Sequence, residues 1–149
     1  METDIIRLNL LSPLHYIPGE DPEPFNYREG SGEKLFCFEL DEAQFRSIEP
    51  DRKKLLGKLV FGGAAAGTVP GEGRNVDHIS GEKPEELPPG NYLFAQKREI
   101  LGEDKIIDLA VEIQQEGLWQ RLLPERRLYL RYLFEDGRGV TQLFRPYTK

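Results

Sequence analysis

The fourteen residues Phe61–Arg74, FGGAAAGTVPGEGR, carry five glycines and raise the question of a phosphate cradle. A phosphate loop of the G-x-x-x-x-G-K-[ST] kind needs a lysine to reach phosphate and a hydroxyl to hold its metal. Gly62 and Gly67 stand at that glycine interval, but Thr68 and Val69 follow where the lysine and hydroxyl are required. Pro70 stops a helix from starting at once, so the helix N-terminus that would focus positive potential on an anion is missing. The stretch reads as a connector between two strand–helix units, with a lid over a pocket as the alternative, rather than as a nucleotide site.

Other chemistries are equally short of parts. His15 and His78 are the two histidines; both fall in loop-rich sequence without a spaced companion, so no metal site is expected. Cys37, the single cysteine, sits in the apolar run LFCFEL, where a buried small hydrophobe is the natural reading. Ser12, Ser31, Ser47 and Ser80 lie beside Pro, Gly or charged residues and none forms a G-x-S-x-G elbow. Glu39, Glu99, Glu112 and Glu135 are available for acid–base work, but with 26 acidic residues no pair is singled out. Tyr129, Arg131, Tyr132, Phe134, Arg138, Phe144 and Arg145 would suit stacking on a single-stranded nucleic acid. The plainer reading is that the aromatics fill a sheet and the arginines decorate its edge. No catalytic residue and no cofactor is expected.

The whole chain sets the frame for these residues. Its 149 residues make about one domain, and a net charge of −6 with an acidic first third argues against nonspecific nucleic-acid binding. Arg52-Lys53-Lys54 with Lys58 is a local basic patch, read as a solvated face. METDIIRLNL lacks the basic start and long apolar core of a signal peptide, and no run is long enough to cross a bilayer. A soluble, cytoplasmic protein without membrane contact is the expectation.

Pattern then places the elements. DIIRLNLL (4–11) reads as a strand, and residues 12–32, with four prolines and four acids, as a long surface loop. EKLFCFEL (33–40) reads as a strand covered on both faces. Asp41 with Gln44 offers a capping box before Phe45, Asp51 caps a second short piece carrying Leu55 and Leu56, and KLVFG (58–62) closes a βαβ-like unit. Residues 62–90 are loop-like. NYLFAQKRE (91–99) is a strand, and from Gly102 a helix presents Ile106, Ala110 and Ile113 on one stripe. Gly117 ends or bends it, and Trp119, Leu122 and Leu123 resume helical spacing until Pro124. Two β-patterned runs then flank Asp136-Gly137-Arg138-Gly139, a hairpin. Leu128, Leu130, Tyr132 and Phe134 share the face that meets the helix. Tyr129, Arg131 and Leu133 share the other, which is open to another sheet, a loop or a second subunit.

The words IPGE (17–20) and SGEK (31–34) recur as VPGE (69–72) and SGEK (80–83), each pair followed by strand, helix and strand, which raises a duplicated unit. In ELPPGNYLFAQ (86–96), the word Pro89-Gly90-Asn91-Tyr92, with the helix from Glu103 and the closing hairpin, resembles GyrI-like effector-binding domains. The resemblance covers residues 86–147. It implies a strand, a helix and two further strands as one of two repeats in a pseudo-symmetric sheet with a ligand cleft. Members commonly carry a glutamate two residues before a tyrosine in the second repeat; this chain reads Arg127-Leu128-Tyr129 there.

The resulting expectation is one α+β domain over residues 1–149, with halves 1–62 and 91–149 joined by the Gly/Pro-rich loop. Its antiparallel or mixed sheet would carry two main helices on one face. The expected function is a non-enzymatic binding or regulatory module, holding a small molecule between sheet and helices near Tyr92, Phe94, Trp119, Tyr129 and Tyr132. Two alternatives stand beside it: a protein–protein or homo-oligomeric module acting through the C-terminal hairpin, and an enzyme using carboxylate acid–base chemistry.

Overall fold

The computed structural model describes residues 5–18, 25, 27, 32–46, 49, 51, 54–65 and 85–148. In chain order its elements are β1 (Ile5–Leu10), β2 (Leu14–Pro18), β3 (Lys34–Glu39), α1 (Glu42–Arg46), β4 (Lys58–Ala65), β5 (Glu85–Leu87), β6 (Gly90–Lys97), α2 (Glu103–Trp119), β7 (Leu123–Pro124), β8 (Arg127–Glu135) and β9 (Arg138–Thr148). Among the described residues the architecture is mostly antiparallel sheet with two helices, of which only α2 is sizeable.

Several elements follow directly from local chemistry. The Asp41 carboxylate accepts the backbone N–H of Ala43 (3.1 Å) and Gln44 (3.3 Å), which caps α1. The Gln44 side chain does not complete the capping box; it accepts the N–H of Asp51 (2.8 Å) and so fixes the return of the chain. Asp136 and Gly137, both at positive φ, form the two-residue turn between β8 and β9, which the Asp-Gly pair favours. Gly57, at φ +64°, passes so close to the Glu39 carbonyl that a Cβ would stand 2.0 Å from it.

The strands lie in the order β1-β6-β9-β8-β3-β4-β2-β5, with β7 paired to the end of β9. Two short connections make this order a severe constraint. β5 and β6 stand six strand intervals apart, about 29 Å if the sheet were flat. Yet only Pro88 and Pro89 join them, a reach of at most about 11 Å. β1 and β2 are likewise six intervals apart and are joined by residues 11–13, with a reach of about 15 Å. The sheet therefore curls until its two ends approach each other, in the manner of a partly open barrel.

Curling gives the sheet two cores. Leu8 and Leu10 of β1 pack with Tyr16 of β2 and Leu87 of β5, residues from opposite ends of the strand order that meet only on the concave face. Leu35, Cys37, Tyr92, Tyr129 and Phe144 complete this inner cluster. The convex face carries α2, whose Ile106, Ile107, Leu109, Ala110 and Ile113 pack with Phe36, Leu93, Leu128, Leu130, Tyr132 and Leu143. β3 is thus buried on both faces, as its continuous apolar run implies, and the two faces of β8 divide as its alternation implies.

The structure corrects other expectations. Residues 12–32 include β2, and residues 62–90 include the end of β4 and all of β5, so proline-rich and acidic sequence does form edge pairings. Residues 19–24, 26, 28–31 and 66–84 of these segments, with His78 and most of the Gly-rich stretch, lie outside the described residues, as do Arg52 and Lys53. The unit β3-α1-β4 is antiparallel rather than βαβ-like. The pairing also breaks the echo between halves: β3 and β4 are neighbours, whereas β9 separates β6 from β8. The second face of the hairpin, for which another sheet, a loop or a second subunit stood open, is covered by the same curled sheet.

The end of α2 differs most. The helix runs straight through Gly117, which sits there because a Cβ would meet Pro124 at 2.9 Å and Leu93 at 3.0 Å. It ends in a Schellman turn: Arg121 N–H donates to the Leu118 carbonyl (3.1 Å) and Leu122 N–H to that of Gly117 (2.9 Å). Arg121 occupies the left-handed position at φ +59°, where glycine is usual. Leu122 is thereby turned into the core. Replacing Arg121 with Gly relieves the left-handed strain and is expected to raise stability by about 1 kcal/mol in urea unfolding. A lowered midpoint would show that the arginine side chain holds the turn.

Candidate functional site

The five aromatics expected to line a ligand pocket are placed in three different surroundings. Tyr92, Phe94 and Tyr129 belong to the inner cluster, with Tyr92 and Tyr129 edge to face at 6.2 Å between centroids. Tyr132 points to the opposite face, where its hydroxyl donates to the Leu101 carbonyl (2.8 Å). Trp119 stands at the end of α2 and is 84% exposed. The structure brings the first three together and leaves Tyr132 and Trp119 apart from them.

The inner face ends in a polar network. The Arg131 guanidinium donates to the Tyr16 hydroxyl (3.0 Å), to Gln142 Oε1 (2.7 Å) and to the Glu33 carboxylate. The Tyr16 hydroxyl donates to Glu33 (3.0 Å), and Gln142 Nε2 donates to Gln96 Oε1 (2.6 Å). These groups tie β2, β6, β8 and β9 to the residue preceding β3. Each has its partner, so the network works as a strut across the curl.

The carboxylates proposed for acid–base work are solvent-exposed. Glu39 is ion-paired with Arg126 (3.4 Å) beside Glu42, Glu125 and Arg127, and Glu99 with Lys105 (3.4 Å) near Asp108 and Glu112. Acid–base pairs need environments that drive two carboxyls apart in pKa, and these surfaces interleave acids with cations instead. His15 is on β2 rather than in a loop, with Nδ1 3.8 Å from Glu86. Among the described residues, no group of three or more His, Cys, Asp or Glu side chains is placed to hold a metal, and no helix is long and apolar enough to cross a membrane.

A different site emerges on the convex face. A cleft of about 370 Å³ is lined by Glu42 and Phe45 of α1, Gln114 and Leu118 of α2, Leu122, Leu123 and Pro124 after it, and Arg145 of β9. Each wall has a local cause. Gln114 and Leu118 stand at i and i+4 on one face of α2. The Schellman turn and the notch at Gly117 bring Leu122 and Pro124 against the helix. Leu143, Arg145 and Tyr147 alternate along β9, so Arg145 points to the convex face between two core residues.

Arg145 is 3% exposed. Its Nε donates to the Glu125 carbonyl, and its guanidinium carbon lies 5.8 Å from the centre of the Phe45 ring, a cation–π contact. Burial pushes its pKa down to about 10, with Glu42 and Glu125 opposing the shift, so it remains a cation at neutral pH. Two buried side-chain polar atoms among the described residues have no hydrogen-bond partner: Arg145 Nη1 and Gln114 Oε1. Both residues line this cleft. Leaving such a group unmatched costs about 1–3 kcal/mol, more when it is charged. The arrangement sets a covered cationic donor and a covered neutral acceptor in residues that wall a mostly apolar cleft, with Leu118 and Leu123 60% and 63% exposed.

Sequence reasoning placed Arg145 at a sheet edge. The signal that would have found it is the period-2 series Leu143-Arg145-Tyr147, which sets an arginine in a core row. Compared with known proteins, the chain matches no family model and no curated protein.

Burial also dominates the phenols. Desolvation raises the pKa of Tyr16, Tyr92 and Tyr132 strongly, and that of Tyr27 and Tyr129 as well. The unfolded chain loses these protons near pH 10 while the folded chain keeps them, so stability is complete below about pH 10 and falls as pH rises beyond it. In an alkaline titration, the phenolate absorbance of these five tyrosines is expected to appear together with unfolding. Their ionisation near pH 10 with far-ultraviolet circular dichroism unchanged would contradict this burial.

Proposed function

We propose that the protein is a non-enzymatic binding module. Its site is the cleft between α1, α2 and the sheet, and its ligand is a small organic anion with an apolar body. The observation that carries this reading is the buried Arg145 cation, whose Nη1 lacks an acceptor in a cleft lined, besides Glu42 and Gln114, by leucine, proline and phenylalanine. A carboxylate supplies what Nη1 lacks, and charge-assisted hydrogen bonds of this kind are the strong ones. The apolar body is held by Leu118, Leu122, Leu123 and Pro124, and the volume is at the small end of ligand pockets. Nη1 is covered in this conformation, so a carboxylate enters with a rotamer change at the wall.

The reading keeps the expected kind of function and its place between sheet and helices, but moves it from the aromatic set to Arg145. Titration with isocaproate, followed by methyl NMR, is expected to shift Leu118, Leu122 and Leu123 first. Isocaproamide should bind at least about tenfold more weakly, as expected for loss of one charge-assisted contact. Equal binding of acid and amide, or no shift at these leucines, would overturn the reading.

A further inference from the structure

We infer that the ligand is a free α-amino acid with an apolar side chain, an inference that rests on the anion-binding reading above. Two side-chain atoms of the cleft lack partners, and a simple carboxylate answers only one of them. Arg145 Nη1 is a donor without an acceptor, whereas Gln114 Oε1 is an acceptor without a donor. Glu42 adds a carboxylate to the same wall. A bare organic acid would satisfy Arg145, leave the Gln114 oxygen unmatched and bring its charge toward Glu42.

A zwitterion answers both. Its carboxylate meets Arg145. Its ammonium, on the neighbouring carbon, supplies the donor that Gln114 lacks and the positive charge that Glu42 attracts. The net charge of the Arg145–Glu42 pair is zero, which matches a ligand that is neutral overall but charged at both ends. The remaining wall, made of Leu118, Leu122, Leu123 and Pro124, selects an aliphatic side chain. The volume of about 370 Å³, equal to that of about a dozen liquid waters, suits one amino acid.

Calorimetry of the full chain with L-leucine, isocaproate (which lacks the ammonium), N-acetyl-leucine (which keeps an N–H but no charge) and leucinamide (which lacks the carboxylate) tests this. Leucine is expected to bind at least tenfold more tightly than each of the other three. Glu42→Gln should erase the preference of leucine over isocaproate, weakening the first and leaving or strengthening the second. Retained isocaproate binding in that variant also shows that the cleft is folded. Isocaproate binding as tightly as leucine would overturn the inference while leaving the anion site standing. Tighter binding of N-acetyl-leucine would overturn it in favour of a peptide C-terminus. No binding of any carboxylate would remove both readings together.

Discussion

The constraint on which the rest depends is the pair of short links at one end of the sheet. Pro88-Pro89 and residues 11–13 join strands that stand six places apart in the sheet order, so the sheet has no flat alternative. Once curled, its concave face is filled, among the described residues, by side chains, chiefly tyrosine, phenylalanine and leucine. The Arg131–Glu33–Tyr16 network then braces strands that the hydrogen-bond ladder does not join.

The convex face follows from the same curl. It needs an apolar cover, and α2 supplies one along most of its length. The cover stops at the Schellman turn, because Gly117 and Arg121 turn the chain back toward β9. Arg145 lies below that point. The core row of β9 continues past the end of the helix, and the cleft occupies the difference. Glu42 and Phe45 reach it because the Asp41 cap sets α1 beside it.

The parts of this legible in the sequence were those governed by nearest neighbours. The strand at 34–39, the helix beginning at Glu103, the Asp41 cap, the Asp136-Gly137 turn and the two faces of β8 follow from alternation, spacing and turn chemistry. β2 and β5 were hidden because their residues, among prolines and acids, form strands only when a distant partner is present. The helix end was hidden because an arginine stands where a glycine would have announced it. The binding aromatics were chosen by type, and type does not say which face of a curled sheet a residue meets. Arg145 was visible in principle, since period 2 places it between Leu143 and Tyr147, but a cation in a core row reads as an edge residue until the cover above it is known.

If the cleft binds as proposed, Arg145 is kept for binding rather than for folding. A buried guanidinium with an unmatched Nη1 carries a desolvation cost that an apolar side chain of similar length does not, set against loss of the Nε bond to the Glu125 carbonyl and the Phe45 contact. The most direct measurement is therefore equilibrium urea unfolding of Arg145→Met beside the parent chain, with carboxylate binding measured on both. An unchanged or raised midpoint together with lost binding is the predicted result. An unfolding free energy lowered by about 3 kcal/mol, with the cleft otherwise unaltered, would show that Arg145 is a structural ion and contradict a binding role.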